Sequence, residues 1–214
     1  LEVRPGELIA LMGPSGSGKS TLLTIAGGLE RADHGQVVVG GQHLRALDAR
    51  GLAALRRNAV GYVEQQLNLL ASLSAAENVA LPLELGGVRP RAARLAAVAA
   101  LDSVGLGEMV DSLPEDLSGG EQQRVAIARA LIGDRRVLLA DEPTGALDSL
   151  TGESIMRLLR SRCDDDGAAV VIATHNSAHA AWADRVIHLR DGALVERATA
   201  VLDRPMGAAS GRLA

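Results

Sequence analysis

The chain of 214 residues contains no phenylalanine, one tyrosine (Tyr62), one tryptophan (Trp182) and one cysteine (Cys163). Without aromatic bulk, a core must be built from Ala, Val, Leu and Ile. A single cysteine excludes an intramolecular disulfide and is typical of a reducing compartment. No apolar run approaches the roughly 18 residues of a membrane-spanning helix, and no signal peptide opens the chain. We therefore expect a soluble, cytoplasmic protein that reaches a membrane only through a partner.

Lysine is also scarce, and the chain has no net positive charge. The formal net charge is −4 and the sequence pI is about 5.7, so the composition predicts no nucleic-acid partner. Of the 22 basic residues, only Lys19 is a lysine. Lysine carries a compact ammonium on a thin stem, whereas arginine ends in a broad planar fork. A lone lysine in an arginine-rich chain therefore indicates a position where arginine does not fit.

Short apolar runs alternate with longer helical patterns, which is typical of an α/β domain. The predicted strands cover residues 7–12, 35–41, 59–65, 135–143 and 168–175. A helix is predicted at about Lys19 to Ala26, and a hairpin over 184–196 is predicted to turn at Asp191 and Gly192.

The strand signals stop between about residues 66 and 117, where Ala- and Leu-rich helical patterns replace them. We interpret this stretch as a helical subdomain inserted into a single α/β domain that spans 1–214. The end of the chain, from about Leu202, is expected to be loosely held.

The segment GPSGSGKS, residues 13–20, lies between a predicted strand and a predicted helix. Its glycines would let backbone N–H groups surround phosphates, while the lysine reaches the β and γ oxygens and the hydroxyl holds Mg²⁺. A glycine turn with a surface lysine is the alternative, but the flanking elements and the lone lysine favour nucleotide binding. The expected phosphate-binding residues are Gly13, Pro14, Ser15, Gly16, Ser17, Gly18, Lys19, Ser20 and Thr21.

Polar side chains end two more apolar strands: Asp141 and Glu142 close VLLADEP, and His175 closes AVVIATH. In open α/β sheets ligands bind at the carboxyl ends of strands. Beside a phosphate loop we expect Asp141 to hold Mg²⁺, Glu142 to polarise the attacking water, and His175 to lie near the same phosphates. Taken alone, the two acids could belong to a loop or a helix cap, and a lone histidine is more often structural.

Other polar residues carry weaker signals. Gln65 follows a predicted strand, where it could ligate Mg²⁺ through its amide oxygen or be a plain loop residue. Cys163 precedes an acidic run that we interpret as a solvated helix end. The remaining histidines are interpreted as surface or packing residues: His34, His43, His179 and His188.

LSGGEQQRVAIARAL, residues 117–131, places Ser118, Gly119 and Gly120 at the start of a predicted amphipathic helix. A helix start of this kind offers backbone N–H groups to an anion. The chain thus has one complete phosphate loop and a second anion-binding helix end, and these motifs alone leave open which phosphate the second one binds.

Together these motifs resemble the nucleotide-binding domains of ABC transporters. GPSGSGKST, YVEQ, LSGGEQQR, VLLADEP, TGALD and ATH are similar to the family's phosphate loop, Gln loop, signature, acidic strand, D-loop and switch histidine, in the family's order. The resemblance implies a P-loop NTPase fold with a mostly parallel central sheet, a small antiparallel β portion and an inserted helical subdomain. It also implies that ATP and Mg²⁺ are bound and that ATP is hydrolysed to ADP and phosphate.

The resemblance further implies a head-to-tail dimer around two ATP molecules. The signature of one chain (Ser118, Gly119 and Gly120) would cap the γ-phosphate held by the other chain. Within each chain, Ser20, Gln65 and Asp141 would organise Mg²⁺. Glu142 would orient the attacking water, and His175 would sense or stabilise the γ-phosphate.

NLLASLSAAENVALPLELGG and DEPTGALDSLTGESIMRLL are similar to the subfamily of macrolide exporters, lipoprotein-release ATPases and the cell-division ATPase. This implies a subunit on the inner face of the cell membrane that drives conformational change in a permease, contacted through the helical subdomain. The alternative is a regulatory ATPase that transports nothing, such as a cell-division component. A small-molecule kinase would leave the signature and D-loop without a role, and a chromosome-maintenance ATPase would require coiled coils that the sequence lacks.

Two features depart from the family's pattern. The family stacks adenine on an aromatic residue before the first strand, and this sequence starts at Leu1, so we expect an N-terminal strand and the stacking residue to be missing. Glu64 stands where the family usually has an apolar or aromatic residue before the glutamine.

Overall fold

The computed structural model describes residues 1–195. They form a six-stranded sheet of order β4-β5-β6-β1-β7-β8, in which all neighbours are parallel except the antiparallel pair β7 and β8. Its strands are β1 (Leu8–Met12), β4 (Val60–Val63), β5 (Val137–Asp141), β6 (Ala169–Ala173), β7 (Arg185–Arg190) and β8 (Ala193–Val195). A separate antiparallel pair consists of β2 (Val38–Val39) and β3 (Gln42–His43).

The central strands β1, β5 and β6 are buried along almost their whole length. Strands covered on both faces read as continuous apolar runs, here LIALM, VLLAD and AVVIA, and this is why the sequence predicts them. The mostly parallel sheet and the small antiparallel portion are confirmed.

Helices cover the sheet and form an insertion between β4 and β5. They are α1 (Lys19–Ala26), α2 (Ala49–Asn58), α3 (Ala75–Leu85), α4 (Pro90–Ser103), α5 (Gly119–Leu131), α6 (Ser149–Asp164) and α7 (Ser177–Ala180), with 3-10 turns at Leu44–Ala46, Gly107–Met109 and Pro114–Asp116. The inserted helices α3 and α4 pack on each other and on α5. The inserted helical unit is therefore confirmed, whereas its limits near 66 and 117, and the single domain over 1–214, stay predictions.

The core is aliphatic, as the lack of phenylalanine predicts. One buried cluster extends from the sheet into α4 and α5, and its members include Leu8, Leu101, Ile127, Leu138 and Ile172. Small side chains such as Ala lie between them, which allows the helices to approach the sheet closely.

The strand predicted over 35–41 is wrong for most of its length, since only Val38 and Val39 pair, with β3. Gly40 and Gly41 have φ values of 56° and 78°, so they turn the chain back immediately into a hairpin. The predicted turn at Asp191 and Gly192 is correct, with φ values of 50° and 75°.

Two further expectations concern the end of the chain and the possibility of a membrane-spanning helix. The loosely held segment from about residue 202 lies outside the described residues. Across 1–195, none of the helices combines the length and apolar character needed to cross a membrane.

Candidate nucleotide-binding site

The phosphate loop joins the end of β1 to the start of α1, and its glycines are required by close packing. A Cβ added to Gly13 would lie 2.2 Å from the carbonyl oxygen of Leu189 and 2.8 Å from Ser17 Oγ. Gly16 and Gly18 have φ values of 77° and 99°, which side-chain-bearing residues rarely adopt. The loop therefore curls tightly over the end of the strand.

Lys19 closes this loop from inside. Its Nζ donates hydrogen bonds to the carbonyl oxygens of Gly13 (2.9 Å) and Pro14 (3.0 Å). Gly18 precedes α1 without a side-chain cap, and the first turn has no acidic residue. The free N–H groups and the positive end of the helix dipole therefore remain available to an anion.

The carboxyl ends of β1, β5 and β6 open into one cleft, about 680 Å³ in volume. The sheet order explains this shared cleft: β6 lies between β5 and β1, and because all three strands run in the same direction, their carboxyl ends lie at one edge of the sheet. The cleft brings together most of the predicted site: Gly13, Pro14, Ser15, Gly16, Gly18, Lys19, Ser20, Thr21, Gln65, Asp141, Glu142 and His175. Ser17 is instead buried beneath the loop.

Glu142 and His175 form a hydrogen-bonded pair at the rim. Glu142 Oε1 lies 2.8 Å from His175 Nδ1 and accepts a 3.1 Å bond from the backbone N–H of His175. Because an ionised carboxylate only accepts, Nδ1 carries the proton in this contact. The Glu142 backbone has φ 48°, a strained value for this residue that costs about 1–3 kcal/mol and is typical of functional sites.

Asp141 ends β5, where its backbone pairs with β6, and it is 4% exposed, yet its carboxylate makes no hydrogen bond or ion pair with residues 1–195. Burial, and secondly the charge of Asp141, raise the pKa of the nearby Tyr62 phenol. A buried carboxylate without a partner is costly unless a cation joins it. Ser20 and Gln65 contribute further oxygens to the cleft. This donor set, oxygen atoms alone, fits Mg²⁺.

The signature residues lie outside this cleft, at the start of α5. Ser118 caps the helix: its backbone N–H donates to Glu121 Oε2 (2.8 Å), and its Oγ accepts from the backbone N–H of Glu121 (3.3 Å). Ser118 Oγ also donates to Glu121 Oε2 (2.7 Å), and this bond, followed by the one from the Ser118 backbone N–H, lowers the pKa of Glu121. A Cβ on Gly119 would meet none of the described atoms within 4 Å, whereas one on Gly120 would lie 3.2 Å from the Ala146 carbonyl oxygen. The helix start is therefore packed on one side and open on the other.

The sequence does not predict one residue of the cleft, Gln123, or the contact that His179 makes beside it. Gln123 lines the cleft at 5% exposure, and its Nε2 has no partner in the described part of the chain. The signal was a polar residue four positions before the buried Ile127, on the same helix face. His179, predicted as surface or packing, hydrogen-bonds Thr144, and no local pattern indicates that long-range contact.

Gln65 lies in a loop whose shape depends on α5. Leu67 and Asn68 adopt left-handed φ values of 30° and 46°. Arg129 donates to the carbonyl oxygens of both, at 2.5 Å and 2.7 Å. Burial lowers the pKa of Arg129 and the charge of Glu64 raises it, and Glu64 also accepts from the Asn68 side chain. Glu64 is thus tied to this loop through Asn68 and places a negative charge near Arg129.

A glycine loop between a buried parallel strand and a helix, facing an acidic side chain two strands away, defines a P-loop nucleoside triphosphatase. The sequence pattern of the ABC transporter family matches residues 1–145. The chain belongs to that family and is its ATP-binding, ATP-hydrolysing cassette.

Individual relatives agree with this assignment. The lipoprotein-releasing system ATP-binding protein LolD 2 of Caulobacter vibrioides is 49% identical over 194 residues, covering 91% of this chain and 85% of that protein. The macrolide export ATP-binding/permease protein MacB of Rhodospirillum rubrum is 49% identical over 212 residues, covering 97% of this chain but 32% of that protein. A dimeric post-hydrolysis structure of the cassette MJ0796, bound to ADP and Pi, has a TM-score of 0.90 at 43% identity, covering 95% of this chain and 89% of that one. The predicted family and subfamily are confirmed.

Proposed function

We propose that two copies of this chain pair head to tail around two Mg·ATP and that hydrolysis drives conformational change in a membrane permease. The observation that carries the proposal is the separation of two anion-binding features. The phosphate loop lines its own cleft, but Ser118 and Gly119 do not line it and are exposed at the open start of α5. A second copy, related by a two-fold axis, would bring each helix start to the other chain's ATP.

Different residues of the cleft bind the phosphates and the metal ion. Lys19 and the loop N–H groups hold the β and γ phosphates, in place of the carbonyl contacts that Lys19 makes here. Ser20, Gln65 and Asp141 would hold Mg²⁺, which neutralises phosphate charge when bound.

Glu142 orients and polarises the attacking water. Its carboxylate accepts hydrogen bonds from the backbone and ring N–H groups of His175, which keep it at the rim of the cleft. The ring of His175 is 77% exposed, and it can turn its other nitrogen towards the γ-phosphate.

Glu142→Gln tests the water-orienting role together with pairing. The amide cannot polarise water, but the Mg²⁺ ligands are intact, so we expect an ATP-bound dimer to accumulate. Light scattering with and without Mg·ATP should show monomer becoming dimer, while Glu142→Gln combined with Lys19→Ala stays monomeric. Wild-type turnover in Glu142→Gln would contradict the role of Glu142.

The permease contact is proposed to lie in a groove of about 400 Å³ between α2, β4 and α3. The lining of this groove includes Leu85, which is 63% exposed. Among residues 1–195, Glu64 is the one acidic side chain that lines it. Its basic residues are Arg56, Arg57, Arg129 and Arg135. An apolar, basic groove next to Gln65 suits an acidic, amphipathic segment of a membrane protein. The chain would then sit on the inner face of the membrane as a peripheral subunit.

Leu85→Asp tests this contact. The added charge should lower the fraction of the chain that sediments with membranes of its own cells. Leu95→Asp, equally exposed on α4 but outside the groove, is the matched control. Equal sedimentation of the two variants would contradict the groove as the docking site.

A further inference from the structure

A hydrogen bond outside the predicted site joins the two segments that carry Glu142 and His175. Thr144 lies two residues after Glu142, and His179 lies in α7, four residues after His175. His179 Nδ1 and Thr144 Oγ1 are 2.8 Å apart, and Thr144 is 6% exposed.

The other side of the His179 imidazole faces α6. A Cβ added to Gly152 of α6 would lie 3.5 Å from Nε2 of His179 and 3.7 Å from the Thr144 Cβ, which are ordinary van der Waals distances. The ring therefore lies between Thr144 and a glycine on the surface of α6, with its Nδ1 towards Thr144.

Neither segment has regular structure that would fix its position. Residues 142–147 form consecutive turns, with the backbone N–H of Gly145 bonded to the Glu142 carbonyl and that of Leu147 to the Thr144 carbonyl. α7 is four residues long, and so short a helix does not hold its shape alone. Glu142 is linked to the second segment by His175, by Thr174 Oγ1 (3.4 Å) and by its backbone N–H, which donates to the Ala173 carbonyl (2.9 Å). The His179–Thr144 bond is the link that reaches the loop after Glu142.

We propose that His179 is a positioning residue for ATP hydrolysis: by holding Thr144, it fixes the loop after Glu142 and so the direction of the Glu142 carboxylate. The inference rests on the proposed function, in which Glu142 orients the water. Small displacements of a catalytic group cost large factors in rate. Binding of ATP depends on the phosphate loop, on the far side of the cleft, and should be affected little.

Four variants test the link. His179→Ala and Thr144→Val remove the hydrogen bond, whereas His179→Asn and Thr144→Ser keep a polar group in the same place. We expect the first two to lower kcat about tenfold or more with little change in KM. The conservative pair should retain most of the activity. The double variant His179→Ala with Thr144→Val should be no slower than either single variant, because both remove the same contact.

Two controls make the result decisive. His43→Ala removes an exposed histidine that is distant in sequence from His179 and Thr144, and it should leave kcat unchanged. Thermal unfolding of each variant shows whether it is folded; if His179→Ala is not, Thr144→Val against Thr144→Ser still gives the answer.

Glu142→Gln belongs in the same series, so that the two proposals can fail separately. Wild-type kcat in Glu142→Gln would overturn the proposed function. An inactive Glu142→Gln beside a normal His179→Ala would overturn only the role of His179. Additive losses in the double variant, or a change in KM rather than kcat, would also overturn it.

Discussion

Lys19 is the one lysine in the chain, and its position requires lysine rather than arginine. Its ammonium donates to two loop carbonyls, at 2.9 Å and 3.0 Å. A guanidinium is wider and planar and has a different stem, so it would approach these carbonyls, and a phosphate bound in their place, with a different geometry.

Lys19→Arg should therefore lose ATP affinity although it keeps the charge. We expect a loss of at least about tenfold, measured by calorimetric titration, approaching the loss in Lys19→Met, which has no charge. If Lys19→Arg binds ATP with wild-type affinity, the claim that arginine does not fit at this position is wrong.

His179 also makes a prediction about pH. Burial lowers the pKa of His179, and the charge of His175 lowers it further, while Glu142 and Glu153 act in the opposite direction. The folded state thus binds fewer protons than the unfolded state between the lowered pKa and the ordinary value of about 6.5. The stability that neutral His179 provides is complete above about pH 6.5 and is lost as the pH falls through the lowered pKa.

The measurement is urea unfolding of wild type and His179→Asn at about pH 8 and about pH 5. The wild type should lose more of its unfolding free energy over this range than the variant, since asparagine does not titrate. An equal loss in both proteins would contradict the lowered pKa.

At the scale of elements, α5 starts with a negative charge where the proposed function needs an anion to bind. Glu121 satisfies the Ser118 backbone N–H in the structure, so a phosphate must compete with its carboxylate. The same capping arrangement occurs at α3, with Ser74 and Glu77 at matching distances of 2.8 Å and 3.3 Å. Glu77 at the start of α3 therefore serves as the matched control for Glu121 at the start of α5.

Glu121→Gln keeps the capping geometry and removes the charge. We expect ATP-driven dimers to form at lower protein concentration in Glu121→Gln, in the Glu142→Gln background, by light scattering. Glu77→Gln should leave dimer formation unchanged. The same shift in both variants, or none in Glu121→Gln, would argue against a phosphate at the start of α5.

The elements that the sequence predicts well are those whose signals are local. β1, β5 and β6 are continuous apolar runs, and the hairpin turn at Asp191 and Gly192 has turn chemistry. The hairpin of β2 and β3 is not predicted by the sequence, because a run of valines followed by two glycines fits the end of one strand as well as a hairpin. The left-handed φ values of Gly40 and Gly41 belong to the folded backbone.

The finer parts of the site depend on contacts between residues far apart in sequence. Arg129 shapes the loop at Leu67 and Asn68 from across the fold, and His179 reaches Thr144 from another element. No window of sequence contains both partners of either contact. The motifs therefore locate the nucleotide cleft, while the residues that hold its loops in place emerge only from the fold.

At the scale of the whole molecule, one buried aliphatic cluster links the sheet to the inserted helices. The signature helix α5 belongs to that core, and it touches the Gln loop through Arg129 and the cleft through Gln123. A shift at the nucleotide cleft therefore has a packed path to the α5 start, where the second copy is proposed to bind, and to the groove proposed for the permease.

The central claim is that each ATP site takes its phosphate loop from one chain and its helix start from the other. Lys19→Ala removes the first half, and Gly119→Asp places a negative charge in the second, at a position with room for a side chain. Each variant alone should hydrolyse no ATP. An equal mixture forms heterodimers with one intact site, so about a quarter of wild-type turnover should return. A mixture no more active than its parts, with both variants folded, would contradict the head-to-tail pairing.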